Sequence, residues 1–132
     1  MKLLLDTQML LWAVFWPDLL PQKAWQAIAD ADNCLHFNSA SLWEISIKSA
    51  QNRPDFQVSA RIMRRQLLAN GYEEIAITSL HTVAIGDLPL LHKDPFDRIL
   101  IAQARTEDIC LLTSDAKIAE YSAPIAFMPK GT

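Results

Sequence analysis

Short apolar runs that alternate with longer helical segments constrain this chain more than any other feature. Lys2 to Leu5 (KLLL) and Cys34 to Phe37 (CLHF) are too short for helices and read as strands, as does Ile109 to Thr113 (ICLLT). Between and around them the spacing predicts helices. Met9 to Phe15 is apolar all round and is stopped by Pro17, and Leu20 to Ala31 places Ala24, Trp25, Ile28 and Ala29 on one face. Ser41-Leu42-Trp43-Glu44 is a capping-box pattern that opens a helix to about Ser49. After a loop over Asn52 to Asp55, Val58 to Ala69 is amphipathic and closed by Asn70-Gly71. Glu74 to Thr78 reads as a strand, followed by a short helix to about Ile85, a helix to about Arg105, a turn of helix from Asp115 and a last strand near Ile125 to Met128. Strands that alternate with helices imply a mainly parallel sheet covered on both faces, a three-layer α/β/α sandwich. With 132 residues, 51% of them apolar, the chain suffices for one core, so residues 1–132 are expected to form a single domain.

Twelve Lys and Arg against fifteen Asp and Glu leave a formal charge of −3, so nothing global marks a nucleic-acid binder. The local exception lies between Lys48 and Arg65, where Lys48, Arg53, Arg61, Arg64 and Arg65 face only Asp55. Arg61, Arg64 and Arg65 share one helical face, which suits a phosphate backbone, an acidic partner segment or plain solvent. The opening MKLLLDTQ is too short in apolar residues for a secretion signal, and the longest apolar run, Met9 to Trp16, is too short to cross a bilayer. A cytoplasmic protein without membrane contact is the expectation. Cys34 and Cys110, in apolar segments without metal-ligand spacing, are expected to be buried free thiols. Trp12, Phe15 and Trp16, at i, i+3 and i+4, read as core or as the wall of a partner groove.

Four acids share one predicted edge of the sheet. Asp6 follows the first strand, Glu44 lies about a turn into the helix after the second, and Asp115 follows LLTS. Asp97 opens a helix that runs antiparallel into its strand, so it belongs to the same carboxyl edge, where parallel sheets build their sites. Each acid has a capping explanation; in HKDPFDRILIAQA, Asp94 fits the N-cap, Pro95 the first helical position and Asp97 the capping box. Taken together, the four predict mutual repulsion unless a cation sits among them, and Mg²⁺ or Mn²⁺ suits carboxylate oxygen.

LLLDT, SLWEI, DPFDRILIAQA and LLTSD, in that order, resemble the motifs of PIN-domain ribonucleases, and HKDPFDR is similar to VapC-type toxins of bacteria. The resemblance implies an α/β/α sandwich in which Asp6, Glu44, Asp97 and Asp115 are both catalytic residues and ligands of Mg²⁺ or Mn²⁺. It implies RNA as substrate, with Asp6 and Asp97 holding one ion and Glu44 and Asp115 holding a second or positioning water. In-line attack would leave a 5′-phosphate and a 3′-hydroxyl. It further implies a cognate small antitoxin and assembly as a homodimer or a toxin–antitoxin hetero-oligomer.

Around the quartet, Thr7 and Ser114 either orient water or cap, and Asp94 is read as the cap with Asp97 as the ligand. Arg98 either touches phosphate or packs, and His92 is read as a loop histidine outside the site, because no second histidine stands at ligand spacing. Lys48, Arg61, Arg64 and Arg65 are candidates to meet RNA or antitoxin. Two other classes compete: a non-catalytic module that keeps the fold, and a phosphorelay receiver, which would share a lysine near the last strand, as in Pro129-Lys130. A receiver needs an acid pair after the first strand and an aspartate after a central one, whereas Asp6 stands alone and the central strand ends Ile77-Thr78.

Overall fold

Five parallel strands carry the fold in a computed structural model that describes residues 1–131. In chain order the elements are β1 (Lys2–Leu5), α1 (Thr7–Phe15), α2 (Gln22–Ala29), β2 (Cys34–Phe37), α3 (Ser39–Ala50), α4 (Ala60–Ala69) and β3 (Glu73–Glu74). There follow α5 (Ser79–Ala84), α6 (Pro95–Glu107), β4 (Cys110–Thr113), α7 (Ala116–Ala119) and β5 (Ile125–Phe127). Single 3-10 turns occupy Pro17–Leu19 and Ile85–Asp87. The sheet order is β3-β2-β1-β4-β5, with Leu3 opposite both Leu35 and Cys110.

Alternation along the strands divides the interior in two. Leu3, Leu5, Phe37 and Leu112 pack with Met9, Leu10, Ile45, Met63 and Leu67 on one face of the sheet. Leu4 and Leu111 turn to the other face, against Leu100, Ile101 and Ile118. The helices therefore form two layers around the sheet, the expected α/β/α sandwich. Strand order reverses between β1 and β4, and at such a switch point the loops leaving the carboxyl ends part to open a crevice.

Several elements differ from the sequence reading for identifiable reasons. The strand expected over Glu74 to Thr78 is only Glu73–Glu74, because this edge strand has one neighbour, β2, and that neighbour ends at Phe37; the last ladder bond runs from Ile75 N to Phe37 O, 2.8 Å. Helix α3 begins two residues before Ser41, since the Asn38 side chain caps it by accepting from Ser41 N at 3.0 Å. The Ser41–Glu44 capping box is thus not formed, and Glu44 sits inside the helix. In α2 only Ala24 is buried and Trp25 is 56% exposed, so the apolar face expected there is mostly open. The aromatic trio of α1 divides: Trp12 is core, Phe15 half-buried and Trp16 exposed. Both cysteines are free thiols, but Cys34 is exposed and Cys110 half-buried, contrary to the expected burial. Among the described residues no helix is long and apolar enough to cross a membrane.

Candidate active site

A cavity of about 330 Å³ opens at the carboxyl edge over the switch point, and Asp6, Glu44, Asp94, Asp97 and Asp115 all line it. Asp6 ends β1 and caps α1, its Oδ1 accepting from Met9 N at 2.8 Å. Its Oδ2 accepts a short hydrogen bond, 2.6 Å, from the Thr113 hydroxyl at the end of β4. The Thr113 oxygen in turn accepts from Asp115 N at 3.0 Å, so one buried hydroxyl ties two of the acids to adjacent strands. Asp115 repeats the capping geometry, its Oδ1 accepting from Lys117 N at 2.8 Å.

Glu44 reaches the cavity from α3. Its Oε2 lies 3.1 Å from Lys48 Nζ one turn along the helix, while Oε1 is buried with no hydrogen-bond donor. A buried carboxylate oxygen without a partner is costly, and such exceptions mark sites where a further group belongs. Asp97 projects from the first turn of α6. Asp94 does the capping there, its Oδ1 accepting from Phe96 N at 2.8 Å and Asp97 N at 3.1 Å, so the Asp97 carboxylate does not reach back to the cap. Asp97 Oδ2 instead lies 2.8 Å from His92 Nε2, which is also 3.4 Å from Asp115 Oδ2.

His92 therefore corrects the reading that placed it outside the site. Sequence spacing marks a ligand histidine only by a second histidine nearby, whereas here its partners are carboxylates. Among the described residues, His92, Asp97 and Asp115 offer ligand atoms that all lie within 4.8 Å of one another. Imidazole nitrogen with carboxylate oxygen suits first-row divalent ions.

The electrostatics follow from burial and like charge. Burial pushes the Asp6 carboxyl up to about 6, with Asp115 and Glu44 adding to the rise and the bonds from Thr113 and Met9 opposing it. Burial also lifts Asp97, to about 7, helped by Asp94, Asp6 and Glu44 and opposed by His92. Both groups thus ionise less readily than an ordinary carboxyl, and a positive charge among them would favour their ionised forms.

The remaining sequence candidates separate into three groups. Thr7 and Ser114 line the cavity, and the Thr7 hydroxyl donates to Ser41 Oγ at 2.9 Å, joining α1 to α3. Arg98 does not line the acidic cavity, and of its two sequence readings the packing one describes what its guanidinium does. Its guanidinium donates to the carbonyls of Ile85, Pro89 and His92 at 3.1–3.2 Å and to the Tyr121 hydroxyl at 3.1 Å. Tyr121 in turn accepts from His92 N at 2.8 Å, so these two side chains pin the loop that presents His92. Of the basic candidates only Lys48 lines the acidic cavity; Arg61, Arg64 and Arg65 border a separate groove with Leu42 and Leu68. Thr113, Gln8 and Lys130 were not singled out by sequence for this site, yet they hold or border it.

A PIN domain model matches residues 3–124. No curated protein matches the sequence. The chain resembles, with TM-score 0.72 and 16% identity, a crystal structure of VapBC2 from Rickettsia felis bound to a DNA fragment from their promoter, covering 96% of this chain and 98% of that one. DNA-bound VapBC from Salmonella typhimurium is similar at TM-score 0.65 and 12% identity, over 97% of this chain and 98% of that one. VapBC-5 from Mycobacterium tuberculosis, of the VapBC family of toxin–antitoxin systems, gives 0.54 and 15% over 97% and 98%. At such identities the likeness is one of fold. The family model spans nearly the whole of the 132 residues, and the protein belongs to the PIN-domain family.

Proposed function

We propose that residues 1–132 form a single metal-dependent endoribonuclease domain, acting in the cytoplasm as the toxin of a toxin–antitoxin pair. The observation that carries the nuclease reading is the donorless, buried Glu44 Oε1 in a cavity shared with two carboxyls pushed up to about 6 and about 7. A divalent cation in this cavity would offset the charge that burial and crowding make costly on these carboxylates. Asp6, Glu44, Asp97 and Asp115 are the catalytic ligands, Mg²⁺ or Mn²⁺ is the ion, and His92 within reach of Asp97 and Asp115 favours Mn²⁺. When bound, the ion lowers the pKa of a water and offsets charge on the scissile phosphate.

The protein's own groups prepare that chemistry. Thr113 fixes the Asp6 carboxylate, Asp94 caps α6 while the Asp97 carboxylate turns to His92, and Thr7 and Ser114 line the cavity, the Thr7 hydroxyl bracing α1 against Ser41 of α3. Arg98 and Tyr121 support the loop of His92.

The pairing with a cognate small antitoxin rests on family resemblance, and two surface features support it. Arg61, Arg64 and Arg65 border a groove of about 570 Å³ apart from the acids, which fits an acidic partner segment. Trp43, 63% exposed and edge-on to Phe96, borders an apolar cavity of about 360 Å³, the kind of anchor protein interfaces use. The same surfaces suit assembly as a homodimer or a toxin–antitoxin hetero-oligomer. Incubating antitoxin-free protein with mixed RNA and Mn²⁺ tests the activity; a folded, metal-binding protein that cuts no RNA would favour a non-catalytic module instead.

A further inference from the structure

The acidic cavity shares walls with two neighbouring ones. Gln8, exposed at the start of α1, borders it and also two further cavities, one of about 360 Å³ with Trp12 and Pro21, the other of about 170 Å³ with Phe56. Each junction carries a lysine. Lys48 borders the acidic cavity and the smaller neighbour, and Lys130 borders the acidic cavity and the larger one.

Both lysines are placed by the fold. Lys48 lies one turn beyond Glu44 on α3 and keeps about half of its side chain exposed while its Nζ sits 3.1 Å from Glu44 Oε2. Lys130 reaches the carboxyl edge because β5 runs parallel beside β4 and the ladder continues through Met128 N to Thr113 O at 2.7 Å. Its Nζ lies 5.3 Å from the ring centroid of Trp12, whose indole is fixed in the core. A cation over a buried indole is a positioned cation.

A polyanion crossing these cavities meets the five carboxylates that line the acidic one, and these repel every phosphate except one that a metal would receive. Attraction must come from the junctions, where the lysines stand. We propose that a single-stranded polynucleotide lies along these cavities across Gln8, with Lys48 and Lys130 holding phosphates on either side of the scissile one, and this rests on the nuclease reading above. Single strand is specified because Asp6 is only 3% exposed and Glu44 7%, so the reacting phosphate must leave a regular duplex to reach them. Lys48 and Lys130 are positioning residues for substrate, and the arginines of α4, which border none of the three cavities, are not.

The test is binding of a short fluorescent single-stranded RNA by the full chain in EDTA, so that the strand is held and not cut, across a salt series. Lys48→Met and Lys130→Met should each lower the steepness of log K against log salt by about 0.7, which is about a fivefold loss of affinity at 0.1 M salt. Lys130→Arg should restore the slope, and Arg105→Met, at the far end of α6, should leave it as in wild type. Unchanged slopes in both lysine variants, while wild type still cuts RNA with Mn²⁺, would overturn this path and leave the nuclease standing; an acidic protein segment would then be the occupant to test. A wild type that neither binds nor cuts RNA would overturn both.

Discussion

Replacing Asp97 by Asn should make the metal-free protein more stable at pH 8, although it removes a proposed metal ligand. In the folded chain the Asp97 carboxyl is lifted from the ordinary 3.8 to about 7, chiefly by burial and then by Asp94 and Asp6. A group whose folded pKa is raised binds its proton more tightly when folded, so its contribution is full below about pH 4 and is lost as pH rises through about 7. At about 1.4 kcal/mol per pH unit the full cost at pH 8 is about 4 kcal/mol. Relaxation and the shared repulsion with Asp6 reduce this to about 2 kcal/mol, which in a chain of this size is about 7 °C in Tm. Thermal unfolding of wild type and Asp97→Asn in EDTA at pH 8 and pH 5 measures it. The variant should lead at pH 8, the lead should fall to less than half at pH 5 because the unfolded carboxyl still ionises there, and excess Mn²⁺ should stabilise wild type far more than the variant. A variant equal to or below wild type at pH 8 would refute the claim that the cluster is strained by unneutralised charge.

Further outcomes follow from the same geometry. Thr113→Val removes the hydroxyl that Asp6 Oδ2 accepts from and should cost about 1–3 kcal/mol in urea unfolding at pH 8, while raising the Asp6 pKa further; no change in either would contradict its tying role. Asn38→Ala removes both the α3 cap and the 2.7 Å bond to the buried Gln103, and a loss of about 2–3 kcal/mol is expected, with Asn38→Asp intermediate. Mn²⁺ binding at pH 6 should release protons from Asp6 and Asp97, read by calorimetry in buffers of different ionisation enthalpy, and affinity should fall as pH drops below about 7. Arg61→Ala with Arg65→Ala should weaken antitoxin binding and reduce its salt dependence without altering RNA cleavage.

Much of this architecture is legible in local sequence because short strands buried on both faces cannot hide their pattern: KLLL and CLHF match their strands residue for residue. Pro95 and Asp94 announced α6 for the same reason, since capping is a local preference. What was lost depends on partners far along the chain. The truncation of β3 follows from where β2 ends, the open face of α2 from what packs on it, and the site role of His92 from a loop pinned by Arg98 and Tyr121, the latter 29 residues from His92. That the four acids share one cavity is legible in their common edge of the sheet. Thr113, the hydroxyl that joins two of them, is not, because within LLTSD it is indistinguishable from an ordinary strand residue.

The most direct test of the central claim is cleavage of a defined mixed RNA by antitoxin-free protein with Mg²⁺ or Mn²⁺, then with EDTA, beside Asp6→Asn and Asp97→Asn. Metal-dependent cutting, ended by EDTA and by either substitution in folded protein, is the predicted result. Cutting that persists equally in wild type and both variants would contradict the assignment of these carboxylates as the site.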